Sequence, residues 1–317
     1  MIEILNELEG VSRVGITGHV RPDGDCLGAC SALYSYIKDN CKNVKVNVHL
    51  EMVPDAFEYL TGTGYFDTDY KDEDNYDVFF CLDCGSIDRI GRADKYFKTA
   101  KKTISIDHHI SNIGYSDMNK VVSDASSTCE VLFDMFDYDK ISKNTAIALY
   151  TGIIHDTGVF KQSNTSEKTM IAAGKLIAKG VPFPDIIDES FYQKTLKQNQ
   201  ILGYALSNSF FILEGKCVVS IITMDIMKEY SANSSDLEGI VAQLRVTKGV
   251  KVALFLHETD KNVFKVSLRA NGDMDVNKVA TQFGGGGHIK AAGCTIDGKS
   301  DEVVQKLADK IKEQLDS

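Results

Sequence analysis

The sequence has no tryptophan and only four prolines, and no apolar run approaches the roughly 18 residues that a membrane span needs. Acidic residues also outnumber basic ones. The chain has 35 Lys and Arg against 45 Asp and Glu, and its net charge is -10. Proteins that wrap a long duplex usually carry a basic surface, so the balance argues against long duplex nucleic acid as the main ligand. It is compatible with small anions bound locally through metal ions.

Eight cysteines in 317 residues are too sparse for a disulfide framework, and we expect free thiols. The first ten residues carry acids instead of the basic and apolar regions of a signal peptide. We therefore expect a cytoplasmic protein with no membrane association.

Strands and helices alternate in the first half of the chain. Apolar runs predict strands over 14–19, 44–50, 77–83 and 102–107, and helical spacing predicts helices over 27–39, 126–136, 144–156 and 166–180. Such alternation is typical of an α/β domain with a parallel sheet covered on both faces. In these sheets, ligands bind at the carboxyl ends of the strands.

A second, smaller α/β unit is predicted from residue 208. Strands are expected over 217–224, 251–258 and 263–270, with helices over 235–246 and 301–316. The predicted organisation is a catalytic domain over 1–185, a helical connector over 186–207 and a substrate-binding domain over 208–317.

Acidic and imidazole side chains cluster where predicted strands and helices end. The clusters are His19, Asp23 and Asp25 in GHVRPDGDCLG, Asp83 after a strand, Asp107, His108 and His109 after the next strand, and Asp156 after a helix. A parallel sheet would bring the strand ends to one rim, where so many carboxylates are tolerable if divalent cations neutralise them. Carboxylates mixed with imidazoles suit Mn²⁺ best, with Mg²⁺ or another divalent ion as the alternative, and two such ions can share one carboxylate.

These segments resemble a known family. GHVRPDGDCLG, CLDCGSIDRIG, SIDHH and GIIHDTGVF are similar to the four motifs of the DHH phosphoesterases, in the same order. FKVSLRANGDMDVNKVATQFGGGGHIKAAG resembles the signature of the DHH-associated C-terminal domain. The resemblance covers nearly the whole chain and is closest to the stand-alone nano-RNase and pAp phosphatase branch, where pAp is adenosine 3',5'-bisphosphate.

The resemblance implies a role for each motif residue. One metal would be held by His19, Asp23 and Asp83, and the other by Asp25, Asp83, His108 and Asp156. His109 would face the scissile phosphate, with Asp107 supporting the histidines. The nucleotide would be held in the C-terminal part by Arg269, Gly284, Gly285, Gly286, Gly287 and His288.

The activity that the resemblance implies is hydrolysis of very short oligoribonucleotides, about two to five nucleotides long and including pApA, and of the 3'-phosphate of pAp. A hydroxide activated by the two metals would attack phosphorus. Short RNA and pAp are thus the expected partners, and a homodimer is one expected assembly. The alternatives are a manganese-dependent inorganic pyrophosphatase, a RecJ-like single-strand exonuclease, and a nucleotide sensor without turnover.

Two motifs have alternative interpretations. The Gly284–Gly287 run could be a flexible linker, although glycine also lets backbone N–H groups approach a phosphate. Cys81 and Cys84 have the spacing of a redox or zinc pair, but packing is the favoured interpretation because no second pair matches.

Overall fold

The computed structural model describes residues 3–72 and 75–316. The chain divides into two compact units, Met1–Gln193 and Lys194–Ser317. Of the predicted connector over 186–207, residues 186–193 fall in the first unit and residues 194–207 in the second.

The first unit is built on a parallel sheet. Its strands are β1 (Arg13–Thr17), β2 (Lys45–His49), β3 (Val78–Leu82), β4 (Thr103–Asp107) and β5 (Met118–Val121). Its helices are α1 (Gly24–Asn40), α2 (Asp94–Thr99), α3 (Thr128–Met135), α4 (Lys143–Asp156), α5 (Glu167–Ala178) and α6 (Phe183–Ile187). Among the described residues the strand order is β2-β1-β3-β4-β5, and all pairings are parallel. The predicted parallel α/β domain is confirmed, and β5 is an additional edge strand.

Both faces of this sheet are buried, as the unbroken apolar sequence of β3 indicates. Val78, Phe80 and Leu82 join the large core beneath α1, α3 and α4, whereas Phe79 packs with Tyr96 on the opposite face. Neighbouring side chains of a strand point to opposite faces, so β3 contributes side chains to the apolar cores on both faces of the sheet. The residue that follows its carboxyl end, Asp83, is therefore buried as well.

Helices α1 and α4 pack closely because glycines line their contact. A Cβ on Gly28 of α1 would lie 2.7 Å from the Ala148 carbonyl oxygen of α4, and one on Gly152 of α4 would lie 2.5 Å from Asp25 Oδ1 of α1. No larger side chain fits at such distances without movement of the backbone. This packing brings the start of α1 and the end of α4 to the same part of the unit.

The second unit contains a mixed sheet. Its strands are β6 (Phe210–Ile212), β7 (Cys217–Ile222), β8 (Val252–Asp260), β9 (Val263–Ala270), β10 (Gly286–His288) and β11 (Ala291–Asp297). Its helices are α7 (Leu196–Ser207), α8 (Met224–Glu229), α9 (Ile240–Arg245), α10 (Val276–Thr281) and α11 (Ser300–Leu315). Within the described ranges the order is β10-β11-β9-β8-β7-β6, and β7 and β8 are parallel while the other pairs are antiparallel. The predicted second α/β unit is confirmed.

The helix predicted over 235–246 is wrong as a continuous element. A 3₁₀ turn covers Ser234–Leu237, and α9 begins only at Ile240. Gly239 separates them with a φ of 85°, in the left-handed region that glycine adopts without steric cost. The amphipathic pattern persists because Leu237 and Ile240 still reach the same core.

All eight cysteines lie in the described ranges and are free thiols. Seven are buried, and Cys41 is partly exposed. Over the part of the chain that the structure describes, no helix combines the length and apolar character needed to span a bilayer.

Candidate active site

The structure brings the predicted acidic and imidazole clusters of the first unit together. His19 follows β1, Asp83 follows β3, and Asp107 ends β4, so these three lie at the carboxyl ends of neighbouring strands. Asp25 lies in the first turn of α1, which begins at Gly24 and thus before the predicted start of this helix at residue 27. Asp156 is the last residue of α4.

Asp83 is the centre of the cluster. Its side chain is 2% exposed, and its φ of 57° is unusual for a residue other than glycine. One carboxylate oxygen, Oδ2, lies 3.5 Å from His19 Nε2. The other, Oδ1, lies 3.6 Å from His108 Nε2 and 3.5 Å from His109 Nδ1. A single buried carboxylate thus faces three imidazole rings.

His19 and Asp23 form one side of the cluster. His19 Nε2 lies 3.5 Å from Asp23 Oδ2, and the Asp23 Oδ1 atom caps α1 by accepting from the N–H groups of Asp25 and Cys26 at 3.1 Å. Burial lowers the pKa of His19, but Asp23 and Asp83 outweigh it and raise that pKa to about 11. Burial opposes ionisation of Asp23 as well, yet His19 and the cap hydrogen bonds lower its pKa to about 2.

Asp25, His108 and Asp156 form the other side. His108 Nε2 lies 3.1 Å from Asp156 Oδ2. Burial and the negative charge of Asp83 raise the pKa of Asp25 well above its ordinary value, and burial raises that of Asp156. The pKa of His108 is raised to about 10, because the nearby carboxylates outweigh its burial.

The start of α3 holds two of these carboxylates, and the sequence interpretation did not include it. The backbone N–H groups of Thr128 and Cys129 donate to the two oxygens of Asp25 at 2.7 and 3.0 Å. The Thr128 hydroxyl donates to Asp83 Oδ1 at 3.0 Å. A helix N-terminus offers free N–H groups to an anion, so α3 favours the charged form of Asp25. The available signal was Ser127, a capping residue type at the start of the predicted helix.

Asp107 is fully buried and orients His109. Its Oδ1 accepts from His109 Nδ1 at 2.7 Å and from the backbone N–H groups of His108 and His109. Its Oδ2 accepts from the Asn112 side chain at 2.8 Å, and Asn112 also donates to the Cys84 carbonyl at 3.0 Å. Asn112 is thus a second residue that the motif interpretation missed.

The donor atoms fit divalent cations. Three groups of described residues have ligand atoms within 4.8 Å of one another, and they are His19 with Cys26 and Asp83, Asp83 with His108 and His109, and Asp25 with His108 and Asp156. Asp83 and His108 each belong to two groups, so two cations could share Asp83. Burial, followed by neighbouring carboxylates, raises the pKa values of Asp25 and Asp156, and a bound cation would favour their charged forms.

The predicted substrate residues of the second unit form a separate set. Arg269 is half-buried in β9 and lies opposite Ala291 of β11, and His288 of β10 pairs with the same residue. Gly286, Gly287 and His288 make up β10 and are exposed. A Cβ at Gly285 would lie 2.1 Å from the Gly293 carbonyl oxygen, so the run is a turn leading into a closely paired hairpin strand and not a linker.

Comparison with known proteins agrees with this architecture. The family described as "DHH family, N-terminal domain" matches residues 13–153, and the "DHHA1 domain" matches residues 214–317. The chain is 26% identical to the "Bifunctional oligoribonuclease and PAP phosphatase NrnA" of Thermus thermophilus, over 99% of this chain and 93% of that protein. It is 29% identical to the protein of the same name from Mycoplasma genitalium, over 98% of this chain and 96% of the relative.

A solved structure is also similar. An exopolyphosphatase-related protein from Bacteroides fragilis superposes with a TM-score of 0.87 at 26% identity, covering 99% of this chain and 96% of that one. The two matched domains cover most of the sequence, and the curated relatives align along nearly the full length. The chain therefore belongs to the DHH family and is a hydrolase of the phosphoesterase class.

Proposed function

We propose that this protein uses two divalent cations, in the first instance Mn²⁺, to hydrolyse phosphodiester bonds in very short oligoribonucleotides and the 3'-phosphate of pAp. The observation that carries the proposal is the buried Asp83 carboxylate within 3.5–3.6 Å of three imidazoles. The names of the full-length relatives, oligoribonuclease and PAP phosphatase, support the choice of substrates.

The two sides of the cluster supply the ligands. His19 and Asp23 would hold one cation, Asp25, His108 and Asp156 would hold the other, and Asp83 would bridge them. The α3 N-terminus supports this role for Asp25, because two N–H donors fix the carboxylate and favour its charged form, which burial opposes, while leaving lone pairs for a cation. When bound, the cations supply charge neutralisation for the phosphoryl oxygens and an acidified water as nucleophile.

His109 is suited to act on the substrate. Its Nδ1 is bonded to Asp107, and its ring is 44% exposed at the edge of the cluster. Among the described residues Nε2 has no hydrogen-bond partner, so it is available to a phosphoryl oxygen. The Asp107 hydrogen bond raises the pKa of His109, and the protonated ring can donate to the scissile phosphate or to its leaving oxygen.

The second unit would hold the nucleotide. Arg269 offers a planar fork for a phosphate, and the exposed β10 strand offers backbone groups without intervening side chains at Gly286 and Gly287. Binding energy from a part of the substrate remote from the reaction helps to position the scissile phosphate.

The decisive test replaces the bridging carboxylate. Asp83→Asn keeps the side-chain shape and tolerates the positive φ, but removes the charge. We expect the wild type with Mn²⁺ to hydrolyse pAp, pApA and RNA dinucleotides faster than ten-mers, long single-stranded DNA or pyrophosphate. Asp83→Asn should lose at least about a thousandfold in turnover, while Asp139→Asn, an exposed aspartate of the same unit, should match the wild type.

Two results would contradict the proposal. Near-normal turnover by Asp83→Asn, in protein shown by circular dichroism to be folded, would show that catalysis does not depend on the cluster around Asp83. Fastest release of phosphate from pyrophosphate would instead indicate a pyrophosphatase, and preference for long DNA would indicate a single-strand exonuclease.

A further inference from the structure

One face of the second sheet is only partly covered. The apolar side chains of β9, including Val266 and Leu268, pack beneath α10 and α11. On the opposite face, α7 and α9 cover Val218 of β7 and Phe255 of β8. Alternate residues of β9 on that face are more exposed and polar, namely Lys265, Ser267 and Arg269.

A cavity of about 380 Å³ lies where the covered and open parts of this face meet. Its floor includes His257 of β8 with Lys265, Ser267 and Arg269 of β9, and residues 234–241 form a wall. The volume falls within the range of small-molecule sites. This cavity lies entirely in the second unit.

The cavity has positive charge without matching partners. Among the described residues, neither Lys265 nor Arg269 forms an ion pair with a carboxylate, and Glu238 is the acidic side chain in the lining. Burial lowers the pKa of Arg269, and the positive charge of the nearby Arg245 guanidinium lowers it further. His257 is 7% exposed, and its Nδ1 has no hydrogen-bond partner within the described ranges. A buried polar atom without a partner is uncommon and indicates a missing ligand or water.

We propose that this cavity binds the phosphate-bearing end of a nucleotide, with the phosphate between Lys265 and Arg269 and the nucleoside against Ser267 and the His257 ring. The inference rests on the proposed function and extends it, since Lys265, Ser267 and His257 are additional substrate-contacting residues. Ser267 keeps the floor flat because its side chain is small, and the adjacent position on β11 is Gly293.

Binding without turnover tests this inference. The full chain in EDTA is titrated by calorimetry with AMP, adenosine and inorganic phosphate. We expect AMP to bind at least about tenfold more tightly than adenosine or phosphate, because both halves of the ligand make contacts. Lys265→Gln and Ser267→Leu should each weaken AMP binding about tenfold, the first by removing charge and the second by filling the cavity.

Matched controls separate this site from the metal cluster. Lys261→Gln changes an exposed lysine in the turn between β8 and β9 and should bind AMP like the wild type. Asp83→Asn should also bind AMP normally in EDTA, so failed hydrolysis and failed binding are distinguishable. Unchanged AMP affinity in both cavity variants would overturn the inference, as would equal affinity for phosphate and AMP.

Discussion

The hydroxyl of Thr128 offers a precise test of how the protein prepares Asp83. Thr128→Val keeps the size and branching of the side chain and the backbone N–H that donates to Asp25, but removes the hydrogen bond to Asp83 Oδ1. Thr128 and Asp83 are both buried, so water cannot replace the lost donor easily. A hydrogen bond to a charged, buried acceptor contributes about 1.5–3 kcal/mol.

We therefore expect Thr128→Val to lower the free energy of unfolding by about 2 kcal/mol in EDTA, measured by urea denaturation. Mn²⁺ affinity, measured by calorimetry, should fall by about tenfold, because residues that orient a ligand typically affect metal binding by 10–100-fold. Because it binds Mn²⁺ more weakly, Thr128→Val should also show lower turnover when Mn²⁺ is limiting.

Thr128→Ser is the matched control, since serine retains the hydroxyl and should restore most of the Mn²⁺ affinity. If Thr128→Val bound Mn²⁺ as tightly as the wild type, the hydroxyl would not position Asp83. Equal weakening by serine and valine would instead assign the effect to a shift of α3, because serine keeps the hydroxyl and valine keeps the methyl group.

Three further predictions concern the same unit. Gly152→Ala places a Cβ 2.2 Å from the Cys129 sulfur and should cost about 1–3 kcal/mol of stability in urea denaturation. Asn112→Ala leaves Asp107 Oδ2 without its side-chain donor and should cost about 2 kcal/mol by the same method, with lower turnover if His109 loses its orientation. Burial lowers the pKa of His155 from 6.5 to about 4, so the unfolded chain binds a proton at this ring more readily than the folded protein does. The free energy of unfolding is therefore highest above pH 6.5 and falls as the pH drops towards 4. Between these pH values, wild-type stability in EDTA should fall by up to about 3 kcal/mol more than that of His155→Gln.

The parts of the fold that were predictable from the sequence are those with strong periodicity. The apolar run ending at Asp83 indicated a strand buried on both faces, and the structure has β3 there. The edge strands β5, β6 and β10 were missed because they are three or four residues long and contain no fully buried residue. Their pairing depends on neighbouring strands, not on a local pattern. The break at Gly239 was missed because one glycine does not disturb the apolar spacing around it.

The candidate site divides in the same way. The candidate metal ligands occur in short polar motifs at the ends of strands and helices, and the structure places His19 beside Asp83 and Asp156 beside His108. Thr128 and Asn112 were missed because neither stands in such a motif and because their contacts depend on tertiary packing. Thr128 lies 103 positions from Asp25, whose carboxylate it contacts through its N–H.

Because seven of the cysteines are buried and Cys41 is partly exposed, thiol reactivity can be used to measure local unfolding. A maleimide dye should label the native chain at Cys41 alone, at a site outside the cluster of carboxylates and imidazoles. The buried Cys26 thiol lies within 4.8 Å of ligand atoms of His19 and Asp83, and the buried Cys129 thiol donates to the backbone carbonyl of Asp25, so both would react only when that region opens. The rate at which further thiols become reactive, with and without Mn²⁺, would thus measure how firmly bound cations close the rim of the first sheet.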